Sequence, residues 1–178
     1  VYGVISQSRY LPDRRDLNRS FPGSPRGSLA ARLAHTFLEE IVKQSDYGID
    51  FHTGAIHRTN LPQIRANLDD SETSELAHAF GVPVLLNANL RDGSLRQCAA
   101  EMGTRILLYE AGEALRFDEL CIRAGVRGTF DVMRHRLVLS YEALSDNVSS
   151  DDLLKKILER IPIPVVPLHE HLDLHANA

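Results

Sequence analysis

One stretch constrains this chain more than any other: Asp46-Tyr47-Gly48-Ile49-Asp50-Phe51-His52-Thr53-Gly54. It opens as an apolar-alternating run and ends in a histidine, a small polar residue and a glycine. A buried strand that delivers a ligand to the rim of a sheet reads this way. Asp50 and His52 are two residues apart, so a strand points both at the same face. Gly54 lets the backbone turn sharply or approach a ligand closely. A neutral imidazole at a strand end is a candidate zinc ligand, and a nearby carboxylate can orient it. The bland alternative is a core or loop histidine that ligates nothing.

Arg105-Ile106-Leu107-Leu108-Tyr109-Glu110-Ala111-Gly112 repeats that design. An apolar run ends in one charged residue, a small residue and a glycine. Glu110 would then sit half-desolvated at the mouth of the sheet, the environment of a general base. Glu113 is a rival for that role, and a loop glutamate is the alternative.

The densest motif lies upstream, from Ser8 to Gly23, and contains Asp16-Leu17-Asn18-Arg19-Ser20-Phe21-Pro22-Gly23. Pro12, Pro22 and Gly23 exclude a regular helix through it. It is therefore an ordered loop, carrying Arg9, Arg14, Arg15, Arg19, Asn18, Asp13 and Asp16. Arginine's planar fork suits bidentate grip of a carboxylate, and Asn18 beside Arg19 adds an amide donor. Phe21-Pro22-Gly23 looks like an anchor. The alternative is a solvated loop whose charges cancel.

The remaining periodicities predict further strands at Val1 to Ile5, Gln63 to Leu68 and Val82 to Leu86. Helices are predicted over Ser28 to Gln44, Ser71 to Gly81, Ser94 to Met102 and Ser150 to Arg160. In the first of these, Leu29, Leu33, Phe37, Leu38 and Ile41 form the expected buried stripe. Leu115 to Arg136 reads as helix interrupted near Gly125 and Gly128, with Phe117, Leu120, Cys121 and Ala124 among its apolar positions. Strands alternating with helices predict an α/β fold: a mainly parallel or mixed sheet with helices on both faces. The division expected is an α/β catalytic domain over 1–145. A short helix, a Pro-rich linker and a His-rich tail would occupy 146–178.

A net charge of −4 gives no basis for a nucleic-acid footprint, and no stretch approaches the length of apolar residues that spans a membrane. Cys98 and Cys121 are too few for a disulfide framework, which fits a reducing cytoplasm. Val1 is not a start methionine, and the chain reads as a piece of something longer.

Taken in order, Arg9, the Asp-Leu-Asn-Arg-Ser-Phe-Pro-Gly run, Asp50-Phe51-His52-Thr53-Gly54 and Glu110-Ala111-Gly112 resemble the succinylglutamate desuccinylase/aspartoacylase family. These are zinc hydrolases with a carboxypeptidase A-like fold. The resemblance runs from Val1 to Arg136, and its arginine-loop motif is the most specific part. It implies a deacylase that cleaves the amide bond of a small N-acyl amino acid or related carboxylate. It further implies that His52 is the third zinc ligand and that Glu110 is general base and then acid. Asn18 and Arg19 would hold the substrate carboxylate, and Arg9 would stabilise the oxyanion. The family's first two zinc ligands lie in a His-Gly-x-Glu-like turn upstream of the arginine loop, and nothing before Arg9 matches them. One Zn2+ per chain is thus expected, with two further ligands from a segment upstream of Val1. The expected partner is a small molecule, with no nucleic acid and no membrane, and self-association is left open. The competing reading is a non-catalytic carboxylate-binding module on the same scaffold, without metal.

Overall fold

A computed structural model describes residues 2–88 and 93–161. Residues 89–92 lie outside the described residues. So do the Pro-rich linker and His-rich tail from residue 162 onward.

Four strands form one mixed sheet: β1 (Tyr47–Gly54), β2 (Asn60–Ala66), β3 (Val84–Asn87) and β4 (Arg105–Glu113). Their spatial order is β1-β4-β2-β3. β1 runs parallel to β4 and β3 parallel to β2, whereas β2 and β4 are antiparallel. The strand with the longest apolar run, β4, takes an interior position, as expected of a strand that buries both faces. Pro62 lies inside β2, where its missing N–H would break a regular ladder. The β2–β4 register slips between Asn60 and Gln63, and the slip accommodates it.

Period-two alternation sorts the sheet into two faces. Tyr47 and Ile49 of β1, Ile64 and Ala66 of β2, and Leu107, Tyr109 and Ala111 of β4 share one apolar core. Helices α3 (Ser71–Ala79) and α5 (Glu119–Arg136) cover it with Leu76, Ala77, Val132 and the adjoining Phe80. The opposite face packs Ile106 against α2 (Leu29–Glu40), α4 (Leu95–Glu101) and the anchor Phe21. Toward the strand ends that second face turns polar, because Asp50, His52, Arg65 and Glu110 fall on it by the same alternation.

Three expectations are corrected. Residues Tyr2–Ile5 form a single helical turn, α1, not a strand. No strand among the described residues pairs with it, and Tyr2 C=O accepts both the N–H (2.9 Å) and the hydroxyl (2.7 Å) of Ser6. In α2 the buried positions are Ala30, Ala34 and Leu38, whereas Leu29, Leu33 and Ile41 are exposed. The arginine loop dictates this rotation. A Cβ on Gly23 would stand 2.1 Å from Ala31 O, so the loop backbone lies directly on the helix, which must present small residues there. Finally, α5 runs unbroken through Gly125 and Gly128, and Phe117 and Leu120 are exposed. The two glycines are close approaches of this helix: added Cβ atoms would meet the Tyr109 ring of β4 at 3.1 Å and the ring of Phe80, at the end of α3, at 2.2 Å.

The chain falls into two compact units, Val1–His135 and Arg136–Ala178. Within the second lie α6 (Tyr141–Ser145) and α7 (Ser150–Arg160), the latter begun by a reciprocal Ser149–Asp152 capping box.

Two opposing effects meet in Gly128→Ala. Helix propensity alone favours alanine by about 1 kcal/mol. Overpacking against Phe80, which is fully buried and stacked on Tyr109 at 5.2 Å, costs about 1–3 kcal/mol or more. We expect net destabilisation of roughly 1 kcal/mol or more in urea unfolding. A stabilised variant would show that Phe80 yields freely.

Candidate active site

Parallel pairing of β1 and β4 makes His52 and Glu110 direct register partners. One extra residue then enters β4, so that Gly54 pairs with Glu113, and Gly112 takes a positive φ of 65° at the irregularity. Gly54 closes the other side: a Cβ there would lie 2.0 Å from Arg58 O. The ladder is thus regular up to the His52–Glu110 pair and irregular immediately beyond it.

His52 Nε2 lies 3.0 Å from Asp50 Oδ2, as their spacing on one strand face predicts. A carboxylate only accepts, so Nε2–H donates and Nδ1 is left as the ligating nitrogen. The Asp50 hydrogen bond raises the imidazole pKa above its ordinary 6.5; burial opposes this, Glu110 adds to it, and Arg9 subtracts. Arg9 and Glu110 therefore both lie within the electrostatic reach of His52.

Both carboxylate oxygens of Glu110 are occupied. Oε1 accepts from Asn60 Nδ2 at 2.9 Å, and Oε2 lies 3.0 Å from Arg65 Nε. The second contact is an ion pair without the alignment of a hydrogen bond, since Arg65 Nε is buried and makes none. The rival Glu113 is committed elsewhere. It accepts from the His57 backbone N–H at 2.9 Å, which holds its carboxyl below the usual range, and from the Thr59 hydroxyl at 3.3 Å. Its work is to pin the β1–β2 connection, where His57 has a φ of 64°.

The arginine loop is ordered by Asp16. This side chain accepts from Arg9 Nε at 2.8 Å and from the Asn18 N–H at 3.0 Å, starting a 3-10 turn over Leu17–Arg19. Asn18 Oδ1 in turn accepts from the Leu95 N–H at 2.8 Å, fastening the turn to the start of α4. Asn18 is left with its amide Nδ2 as a donor. Arg19 donates to Asn18 O and is exposed, with no carboxylate partner among the described residues. Phe21 is buried, edge-on to Phe37 at 6.4 Å, so the anchor reading of Phe21-Pro22-Gly23 describes its packing.

The structure thus sets His52 beside Glu110 and against Asp50, with Arg9 within electrostatic reach. Asn18 and Arg19 join them through the loop that carries Arg9, not by direct contact among the described residues. Sequence reasoning missed Asn60 and Arg65. Arg65 left a trace: it is the one charged residue in Asn60–Ala66.

A catalytic zinc takes three protein ligands. Among the described residues no group of three His, Cys, Asp or Glu side chains is placed to hold a metal. Cys98 is buried in the apolar core beside Ile106, and Cys121 packs on the opposite core. The described residues supply one imidazole and do not by themselves hold the ion.

Residues 1–136 match the succinylglutamate desuccinylase/aspartoacylase catalytic domain. The chain belongs to this family. Its α/β fold is that of solved family structures. A succinylglutamate desuccinylase/aspartoacylase from Rhodobacter sphaeroides superposes with a TM-score of 0.67 at 31% identity, over 74% of this chain and 41% of that one. The product-bound ectoine utilization protein EutE (DoeB) from Ruegeria pomeroyi gives 0.66 at 26% identity, over 76% and 45%. In sequence, 76 residues are 40% identical to the N-alpha-acetyl-L-2,4-diaminobutyric acid deacetylase of Halomonas elongata, covering 40% of this chain and 22% of that protein. The Rhodobacter and Halomonas relatives are named as hydrolytic enzymes, and the chain spans less than half the length of each of the three. None of the described helices is long and apolar enough to cross a membrane.

The histidine geometry has a direct consequence. In the metal-free protein, with its pKa raised, protonated His52 contributes stability that is full below pH 6.5 and lost as pH rises through the folded value. Asp50→Asn removes the main cause and leaves burial, so the His52 NMR titration midpoint should fall. An unchanged midpoint would remove Asp50 as the orienting partner.

Proposed function

We propose that residues 1–145 are the catalytic domain of a zinc-dependent deacylase. It hydrolyses the amide bond of a small N-acyl amino acid or related carboxylate. The observation that carries this reading is the pairing of His52 with Glu110 at the end of a regular ladder, with Arg9 in the same electrostatic field. Family membership supports it, and so does the deacetylase name of the Halomonas relative.

His52 would contribute one zinc ligand through Nδ1, with two more supplied by a segment upstream of Val1. When bound, zinc supplies Lewis acidity and lowers the pKa of water toward neutrality. Glu110 takes a proton from the attacking water and returns it to the leaving nitrogen, so the products are a carboxylic acid and an amine. Arg9 supplies positive charge at the carbonyl oxygen as the tetrahedral centre forms. It would do so by exchanging Asp16 for the substrate oxygen, because Asp16 holds its guanidinium at 2.6–2.8 Å. Arg19, exposed and without a carboxylate partner among the described residues, grips the substrate carboxylate together with the Asn18 amide. A cytoplasmic setting belongs to the same reading, in keeping with two free thiols.

In the full-length protein, assayed with N-acetyl and N-succinyl amino acids, Glu110→Gln should retain zinc and lose about 10²–10⁴-fold in kcat. Preserved turnover would remove Glu110 from the chemistry. Arg19→Ala should chiefly raise KM for carboxylate substrates, by about 10-fold or more. Unchanged kinetic constants would count against Arg19.

A further inference from the structure

Glu110 is held as deliberately as His52. Two strand irregularities flank it: the extra residue in β4 just after it, and the β2–β4 slip between Asn60 and Gln63. Bulges of this kind re-aim side chains next to functional sites. Asn60 is the ladder partner of Gly112, yet its amide reaches Glu110 Oε1 at 2.9 Å. Arg65 pairs with Leu108, two residues before Glu110, and its Nε stands 3.0 Å from Oε2. Neither residue is needed for the apolar core, which β2 serves through Ile64 and Ala66 on the other face. An arginine nitrogen buried without an aligned hydrogen bond is expensive to keep. Its retention beside one carboxylate is explained when the charge has work to do there.

We propose that Asn60 and Arg65 are positioning residues for Glu110. The Asn60 amide fixes the plane of the carboxylate, and the Arg65 charge holds the opposite oxygen, so that one lone pair of Oε1 stays aimed at the water that attacks. The proposal rests on the reading of Glu110 as the general base. It makes a chemical distinction between the two partners. Asn60 acts through an aligned hydrogen bond that alanine abolishes. Arg65 acts through charge at short range, which lysine keeps and glutamine does not.

The experiment is steady-state kinetics of Asn60→Ala, Arg65→Gln and Arg65→Lys in the full-length enzyme, beside Glu110→Gln, with folding checked by circular dichroism and thermal unfolding. A misplaced base loses about 10–100-fold in rate. Asn60→Ala and Arg65→Gln should lose this in kcat while KM for an N-acyl amino acid stays within about twofold, and Arg65→Lys should recover most of the loss. Folded Asn60→Ala with normal kcat, or a loss carried by KM alone, overturns the proposal while an inactive Glu110→Gln leaves the base assignment standing. Normal turnover in Glu110→Gln overturns both. Should Arg65→Gln fail to fold, Asn60→Ala and Arg65→Lys decide the matter: low kcat in the first with near-normal kcat in the second supports the proposal.

Discussion

The parallel pairing of β1 with β4 is the constraint on which the site depends. It sets His52 beside Glu110, two residues far apart in sequence that share no hydrogen bond among the described residues. Each strand enters the pair from a packed end, where Tyr47, Ile49, Leu107 and Tyr109 bury toward α3 and α5. A one-residue slip would turn all of these to the wrong face, so the apolar pattern fixes the register and the register fixes the site. The irregularities come only after the pair is made. Gly54 and Gly112 allow them, the first by close approach to Arg58 O and the second by its positive φ.

Electrostatically the cluster is a chain of alternating charge. Asp50 supports His52, Glu110 lies between His52 and Arg65, and Arg9 is tethered to Asp16. His52, Glu110 and Arg9 each have a partner that fixes their orientation, the arrangement a preorganised site needs. Arg19 is the exception. Its guanidinium donates to Asn18 O and carries no carboxylate among the described residues.

Much of this was legible in the sequence, for local reasons. Asp50 and His52 share a face because strands have period two. The strand-end pattern of His52 and Glu110 recurs because both residues close apolar runs. The arginine loop declared its order through Pro12, Pro22 and Gly23. What escaped reading depended on packing between distant segments. Asn60 and Arg65 reach Glu110 only through an antiparallel register that slips at Pro62. The face of α2 was misread because the leucines advertise a stripe, whereas the loop backbone at Gly23 demands alanines. Gly125 and Gly128 looked like helix breaks, but they are where α5 approaches the Tyr109 and Phe80 rings. The opening apolar residues read as the end of a strand, yet α1 forms locally, with Ser6 bonding back to Tyr2.

The central claim is that His52 is a zinc ligand in a hydrolytic centre it shares with Glu110. Elemental analysis of the full-length protein and of its His52→Ala variant tests this most directly. About one zinc per chain is expected in the parent and little or none in the variant. Zinc absent from both, or bound equally by both, would contradict it.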